Sequence, residues 1–337
     1  MIKKGLFIMG LVFLLFVAGG CQPADHDVPS DETGQEDWKW RNIGLTDQSI
    51  DKIELASDGE EYVLSGGKIY YRKEDKWLVQ SLDEEVSAFC LIEKDSHKTI
   101  VAGTARGSVY IKSGDEAEWR KADIMCLSEP IAKIIFVPRQ NAVYVGQSSK
   151  NGGGLWRSYD EGKSWEKVTD LTVRGIAVNP DNPDIIYIVD RLTYLSTDRG
   201  KTWKKLDTPA NYGVLIHPLY PDIAYIAYSN GVVTATHEGK ITGYQRFYLP
   251  GGITRLEYNP AHVSEWALGI WDFPSGRGGL YYSMNGGVHW VEVGEKMTDT
   301  RILDLCFNQT GDRLYIGTAE KGLWVLNVRK LKEDVEM

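Results

Sequence analysis

Four basic residues, Lys133, Arg174, Arg255 and Arg301, each stand at the head of an apolar run. If those runs are equivalent strands set around an axis, the four cations surround one mouth, where charge-assisted hydrogen bonds would hold a carboxylate or an acidic peptide. The plainer reading is that strand ends carry Lys and Arg for solubility and edge protection. Arg106, Asp190, Arg191, Trp271, Asp272, Phe273 and Arg277 fall in the connections expected to face the same way. Trp and Phe beside Arg have the composition of a contact hot spot, although Trp271 could equally cover a neighbouring element. Asp190 and Asp272 are the pair of carboxylates that a glycosidase would use, but nothing in the sequence sets their separation. Glu257 and Tyr258 are adjacent and so point to opposite faces of a strand. No P-loop, no His/Cys metal cluster and no G-x-S-x-G elbow occurs, and the six histidines are scattered. These observations predict a binding protein with no catalytic residues, cofactor or metal; a carbohydrate-active protein is the alternative.

The elements that must position these residues are repeats. Ile134–Pro138, Ile176–Pro180, Val214–Pro218 and Leu256–Pro260 each lead through a turn into an aromatic-rich strand, a second turn and a third strand. Weaker copies precede and follow them. Their first turns, at Ser57, Lys94, Pro138, Pro180, Pro218, Pro260 and Gln309, are 37 to 49 residues apart, the length of one four-stranded propeller blade. Short alternating strands dominate, and no amphipathic helix competes with them. The expected fold is therefore all-β, a single seven-bladed propeller with four-stranded antiparallel blades over residues 37–337. The last repeat lacks its outer strand, and residues 37–43 can supply it, closing the ring and removing two sheet edges.

Between third and fourth strands a motif recurs: Ser158, Asp160, Gly162, Ser164 and Trp165, then Ser196, Asp198, Gly200, Thr202 and Trp203. A variant has Ser283, Asn285, Gly287, His289 and Trp290, and degraded copies lie near Asp115, Asp75 and Glu238. Short polar side chains should bond the turn's own backbone, Gly supply positive φ, and Trp fill the space between blades. A calcium loop would need more oxygen ligands and a terminal Glu. The motif resembles the Asp-box (BNR repeat) of sialidases, sortilin-type receptors and the photosystem II assembly and stability factors. The last group is the most similar in length and organisation, and the resemblance implies a non-catalytic, chaperone-like scaffold for a membrane protein. Sialidases also carry an R-I-P motif, absent here. Shared fold alone is a weak warrant for shared function.

Lys3 and Lys4, thirteen uncharged residues from Leu6 to Ala18, and Gly19-Gly20-Cys21 have the layout of a secretory signal. The apolar run would reach about 20 Å as a helix, short of the ~30 Å hydrocarbon core. Cys21 after small residues resembles a bacterial lipobox, with Ala18 where leucine is usual. Residues 21–36 carry Asp25, Asp27, Asp31, Glu32 and Glu36 with no Lys or Arg, the composition of a solvated tether. Loss of residues 1–20 would move the formal charge from −9 to −11, which disfavours nucleic acid as a partner. Cys90, Cys126 and Cys306 would remain, an odd number that leaves at least one thiol free or intermolecular. The expectation is an exported protein anchored by lipid to the outer face of the cytoplasmic membrane or to the outer membrane. Its partner would be a membrane or cell-surface protein, or an acidic glycan or peptide. Cys21→Ser is expected to abolish labelling by fatty acid and to move the protein from the detergent phase to the aqueous phase in detergent partitioning.

Overall fold

The computed structural model describes residues 39–335, apart from 95–96, 115–117, 125–127, 150, 209–210, 295 and 298. The signal sequence, Cys21, the acidic tether, Asp37, Trp38, Asp115 and Cys126 lie outside the described residues. Seven four-stranded antiparallel sheets form the seven blades of a propeller. Their innermost strands are Lys52–Leu55, Val86–Lys94, Ile131–Val137, Gly175–Val178, Asn211–Ile216, Gly252–Tyr258 and Ile302–Phe307, in blades 1 to 7. In blades 1 to 6 the chain runs strand by strand from the axis outward. All seven turn positions recognised in the sequence join a first strand to a second.

The ring closes as expected. Trp40–Gly44 is the outer strand of blade 7, pairing antiparallel with Leu323–Asn327 from Trp40↔Leu326 to Gly44↔Leu323. Gly44 has φ +122°, and a Cβ there would stand 2.6 Å from Nε1 of Trp77, whose ring lies over the seam from blade 1. That indole donates to the Ile43 carbonyl at 2.8 Å. One element was not legible: Val328–Val335 is a helix. Asn327 Oδ1 caps it by accepting from the backbone N–H groups of Arg329 and Lys330 at 3.1 and 3.2 Å. Val328 and Leu331 bury it against blades 6 and 7, too short an apolar stripe to stand out by period.

The core lies between blades. One apolar cluster, for example, joins Val137, Ala142, Tyr144 and Leu155 of blade 3 to Val173, Ile176, Ile186 and Ile188 of blade 4. Both faces of each middle strand are covered, so Ile186–Val189 and the Leu155–Ser158 segment are buried throughout rather than alternating. Outer strands face water on one side, and Ile241–Arg246 alternates.

The two complete motifs form the same turn. Ser158 Oγ accepts from Gly162 N–H at 2.8 Å and donates to Asp160 Oδ1, which also accepts from Ser164 N–H at 2.8 Å. Ser196, Asp198, Gly200 and Thr202 repeat these bonds. In blade 6, Asn285 Oδ1 replaces the carboxylate and accepts from His289 N–H at 2.8 Å. Trp165, Trp203 and Trp290 each pack on the cluster shared with the preceding blade. Asp160 and Asp198 thus spend their oxygens on their own turns.

Near the axis, five of the seven innermost strands shift register, at Val86/Ala88, Ile131/Lys133, Asn211/Gly213, Ile253/Arg255 and Ile302/Asp304. The residue after each shift lies opposite Gly103, Gly146, Ala227, Gly269 or Gly317. Those glycines admit the next blade: a Cβ on Gly103 would fall 2.5 Å from Ile131 Cβ, and one on Gly146 2.5 Å from Val173 Cγ1. Gly146→Ala is therefore expected to destabilise the protein by about 1–3 kcal/mol through overpacking, read from urea denaturation.

Candidate functional site

Strand geometry separates two rims. The motif turns share one with the connections from first to second strands. The opposite rim carries the second-to-third-strand turns, which hold Arg106, Asp190, Arg191 and Phe273, with Asp272 and Arg277 the paired strand ends flanking the turn of Phe273. Two apparent loops are instead extended strands. Gln147 pairs with Gly154 and Trp271 with Gly278, the latter leaving only a tight turn at 273–276. Arg106, Arg191, Phe273 and Arg277 are exposed, and Asp190, Trp271 and Asp272 half-buried.

The four cations do not form one ring. Arg174 and Arg301 immediately precede their strands and are exposed on the rim, whereas Lys133 and Arg255 lie within theirs and reach the channel. The sequence reading missed the extra residues that the strands of blades 3 and 6 extend beyond their apolar runs. Arg174 Nε pairs with Asp190 Oδ1 at 2.8 Å, and Asp190 also accepts from Ser148 and Thr172 hydroxyls at 3.2 and 3.1 Å. This group lines a polar cavity of about 780 Å³ with Glu129, Asn151 and Arg191.

Blade 6 carries a different arrangement. Phe273 is 75% exposed and meets the half-buried Trp271 edge-on, ring centroids 6.5 Å apart. The Arg301 guanidinium lies 5.6 Å above the Phe273 ring. The Trp271 ring covers Gly278 on the next strand of its own blade, where an added Cβ would stand 2.8 Å from Cε3. Beside this platform a cavity of about 570 Å³ is lined by Asp272, Arg277, Tyr281, Glu292 and Asp299 among others. Asp190 and Asp272 thus border separate cavities. The carboxylates near Asp272 are Glu292 and Asp299, which lie in outer-strand and inter-blade segments with no distinguishing sequence signal.

Inside the channel the register shifts bring charged side chains together. Asp304, 2% exposed, pairs through Oδ1 with Arg255 Nε at 2.8 Å and accepts through Oδ2 from Ile53 N–H at 2.8 Å. Lys52 Nζ lies 2.9 Å from Glu54 Oε1 and 3.6 Å from Asp304 Oδ2. Against its burial penalty, Asp304 is held below the usual carboxylate range by Arg255 and Lys52. Burial pushes Glu257 and the free thiols Cys90 and Cys306 up. Lys133 is lowered to about 7 by burial and by the positive charges of Arg255 and Lys52. Glu257 shares the channel with Arg255, while Tyr258 packs into the core between blades 5 and 6, so the two do not form a catalytic pair. Among the described residues, no group of three or more His, Cys, Asp or Glu could hold a metal, and no helix is long and apolar enough to cross a membrane.

The fold is a seven-bladed β-propeller of four-stranded antiparallel blades. The chain is similar to sortilin-type propellers: the family model described as sortilin, neurotensin receptor 3, matches residues 153–296. YCF48 from Cyanidioschyzon merolae superposes with TM-score 0.64 at 9% identity, covering 87% of this chain and 100% of that one. YCF48 bound to D1 peptide gives 0.63 at 13% identity, covering 87% and 96%. A GH74 xyloglucanase from Xanthomonas campestris gives 0.67 at 15%, with 86% of this chain but about half (54%) of the xyloglucanase covered. No curated protein sequence matches the chain.

Because its folded pKa lies below its unfolded value, Lys133 disfavours the fold below about pH 7, and stability rises with pH between there and the ordinary lysine range. Lys133→Met is expected to stabilise the anion-free protein by about 1–3 kcal/mol at pH 6, with the difference shrinking by pH 10, in denaturation curves.

Proposed function

We propose that this protein is a non-catalytic binding scaffold, exported and anchored through a lipid on Cys21, that docks a membrane or cell-surface protein on its second-to-third-strand rim. The observation that carries this reading is the blade 6 platform, where exposed Phe273 is fixed by Trp271 and capped by Arg301. A large aromatic held rigid beside a guanidinium contributes contact area at little entropic cost. The two rim arginines are engaged separately, Arg174 by Asp190 and Arg301 by Phe273, and do not converge on one acidic sugar. The similarity to YCF48 bound to D1 peptide supports recognition of a polypeptide. A tether of acidic residues would let the ring reach a partner in the same membrane.

A second reading rests on the adjoining cavity, where Asp272, Glu292 and Asp299 lie with Tyr281, and on the similarity to a xyloglucanase. Two carboxylates flanking a bound sugar are the minimum for glycoside hydrolysis.

The test is affinity capture from the protein's own detergent-solubilised membranes, beside a glycan array. A stoichiometric membrane-protein partner is expected, with recovery reduced ~30-fold by Phe273→Ala, as for a 2 kcal/mol hot spot, and unchanged by Tyr220→Ala on the other rim. A glycan ligand lost on Asp272→Asn, with no protein captured by folded bait, would establish the second reading instead.

A further inference from the structure

The charges in the channel are unevenly paired. Lys52, Lys133, Arg255 and Asp304 occupy equivalent places on their innermost strands, two residues beyond Ile50, Ile131, Ile253 and Ile302. Lys133 belongs to blade 3 and Arg255 to blade 6, which are not neighbours, so the two enter the channel from different sides. The corresponding places in three other blades hold Ala88, Gly175 and Gly213, which leave room. A cleft of about 50 Å³ opens between blades 5 and 6, lined by Gly213, Ile253 and Arg255 among others, enough for a few waters or a small ion.

Two cations have partners. Glu54 and Asp304 hold Lys52, and Asp304 neutralises Arg255 by an ion pair without a hydrogen bond to its buried Nε. Ile53 N–H takes up a further lone pair of Asp304. Lys133 has no carboxylate within ion-pairing distance among the described residues, and the Arg255 guanidinium, although ion-paired with Asp304, leaves its buried Nε without a hydrogen bond. Glu257, the remaining channel carboxylate, is pushed toward its neutral form by burial. An unpaired cation in a partly desolvated space favours an anion that brings its own lone pairs.

We propose that the central channel binds a small oxyanion, seated between the Lys133 ammonium and the Arg255 guanidinium, with Lys52 adding positive charge. The site is distinct from the rim platform and does not depend on the rim's role. The titratable groups sharing the channel are Lys52 and Glu54 from blade 1, Cys90 from blade 2, Arg255 and Glu257 from blade 6, and Asp304 and Cys306 from blade 7. Lys133 itself changes charge near pH 7. An anion stabilises its ammonium form, so binding takes up a proton and weakens as pH rises past neutrality.

Sulfate, which keeps its charge over this range, is the probe. Titration calorimetry at constant ionic strength should show one site at pH 6, weakened about tenfold or more at pH 8.5, as expected when lysine loses its charge. Lys133→Met should be weak at both pH values, and Lys133→Arg should restore binding and remove its pH dependence. Binding that is equal in wild type and Lys133→Met would place sulfate on the rim arginines and overturn the proposal, as would no binding at pH 6. Should Lys133→Met fail to fold, the wild-type Lys133 ε-carbon resonance gives the answer. Its titration midpoint must rise by about a unit with sulfate, and an unmoved midpoint overturns the assignment.

Discussion

Everything near the axis depends on how closely seven sheets approach where they converge. A blade is a wedge, with small residues inside and large ones outside. Gly103, Gly146, Gly269 and Gly317 sit on second strands where an isoleucine or valine of the following blade presses against bare backbone. Toward the rim of the ring the same gap is filled by Trp165, Trp203 and Trp290. Register shifts in the innermost strands accompany this crowding, since an extra residue bends a strand and turns its side chains. The same shifts put Lys133, Arg255 and Asp304 into the channel. Packing and site therefore share one cause.

Asp304 joins blades electrostatically where few apolar atoms are available. It touches Arg255 of blade 6 and Ile53 of blade 1 from its own place in blade 7, next to the seam. Removing any one member would strand the others in a poorly solvated space, which costs more than an exposed pair would. The rim pairs differ. Arg199 with Asp184 is exposed, and Arg174 reaches half-buried Asp190 from the water side, so both contribute orientation more than stability.

The two rims differ in what their side chains are free to do. On one, Ser and Asp side chains are consumed by the turns that bear them. On the other, extended strands in blades 3 and 6 rise above the ring, with a polar cavity at one and an aromatic platform at the other. Architectural similarity to YCF48, to sortilin-type propellers and to a xyloglucanase is compatible with both protein and glycan ligands. Side chains on this rim, not the shared ring, decide between them.

The blade count, the turn positions and the closing strand were legible in the sequence because each depends on local order: apolar runs, Pro and Asn turns, and a repeat of constant length. The motif turns were legible for the same reason, as their hydrogen bonds span only a few residues. Lys133 and Arg255 looked equivalent to Arg174 and Arg301 because apolar runs mark where strands are buried, not where they begin. Arg174 stands one residue, and Arg301 three residues, short of the place in its blade from which Lys133 and Arg255 enter the channel. The gathering of Asp272 with Glu292 and Asp299, and of Lys133 with Arg255, joins distant segments through the curvature of the ring. That curvature is set by packing between blades, which no single segment of the chain contains.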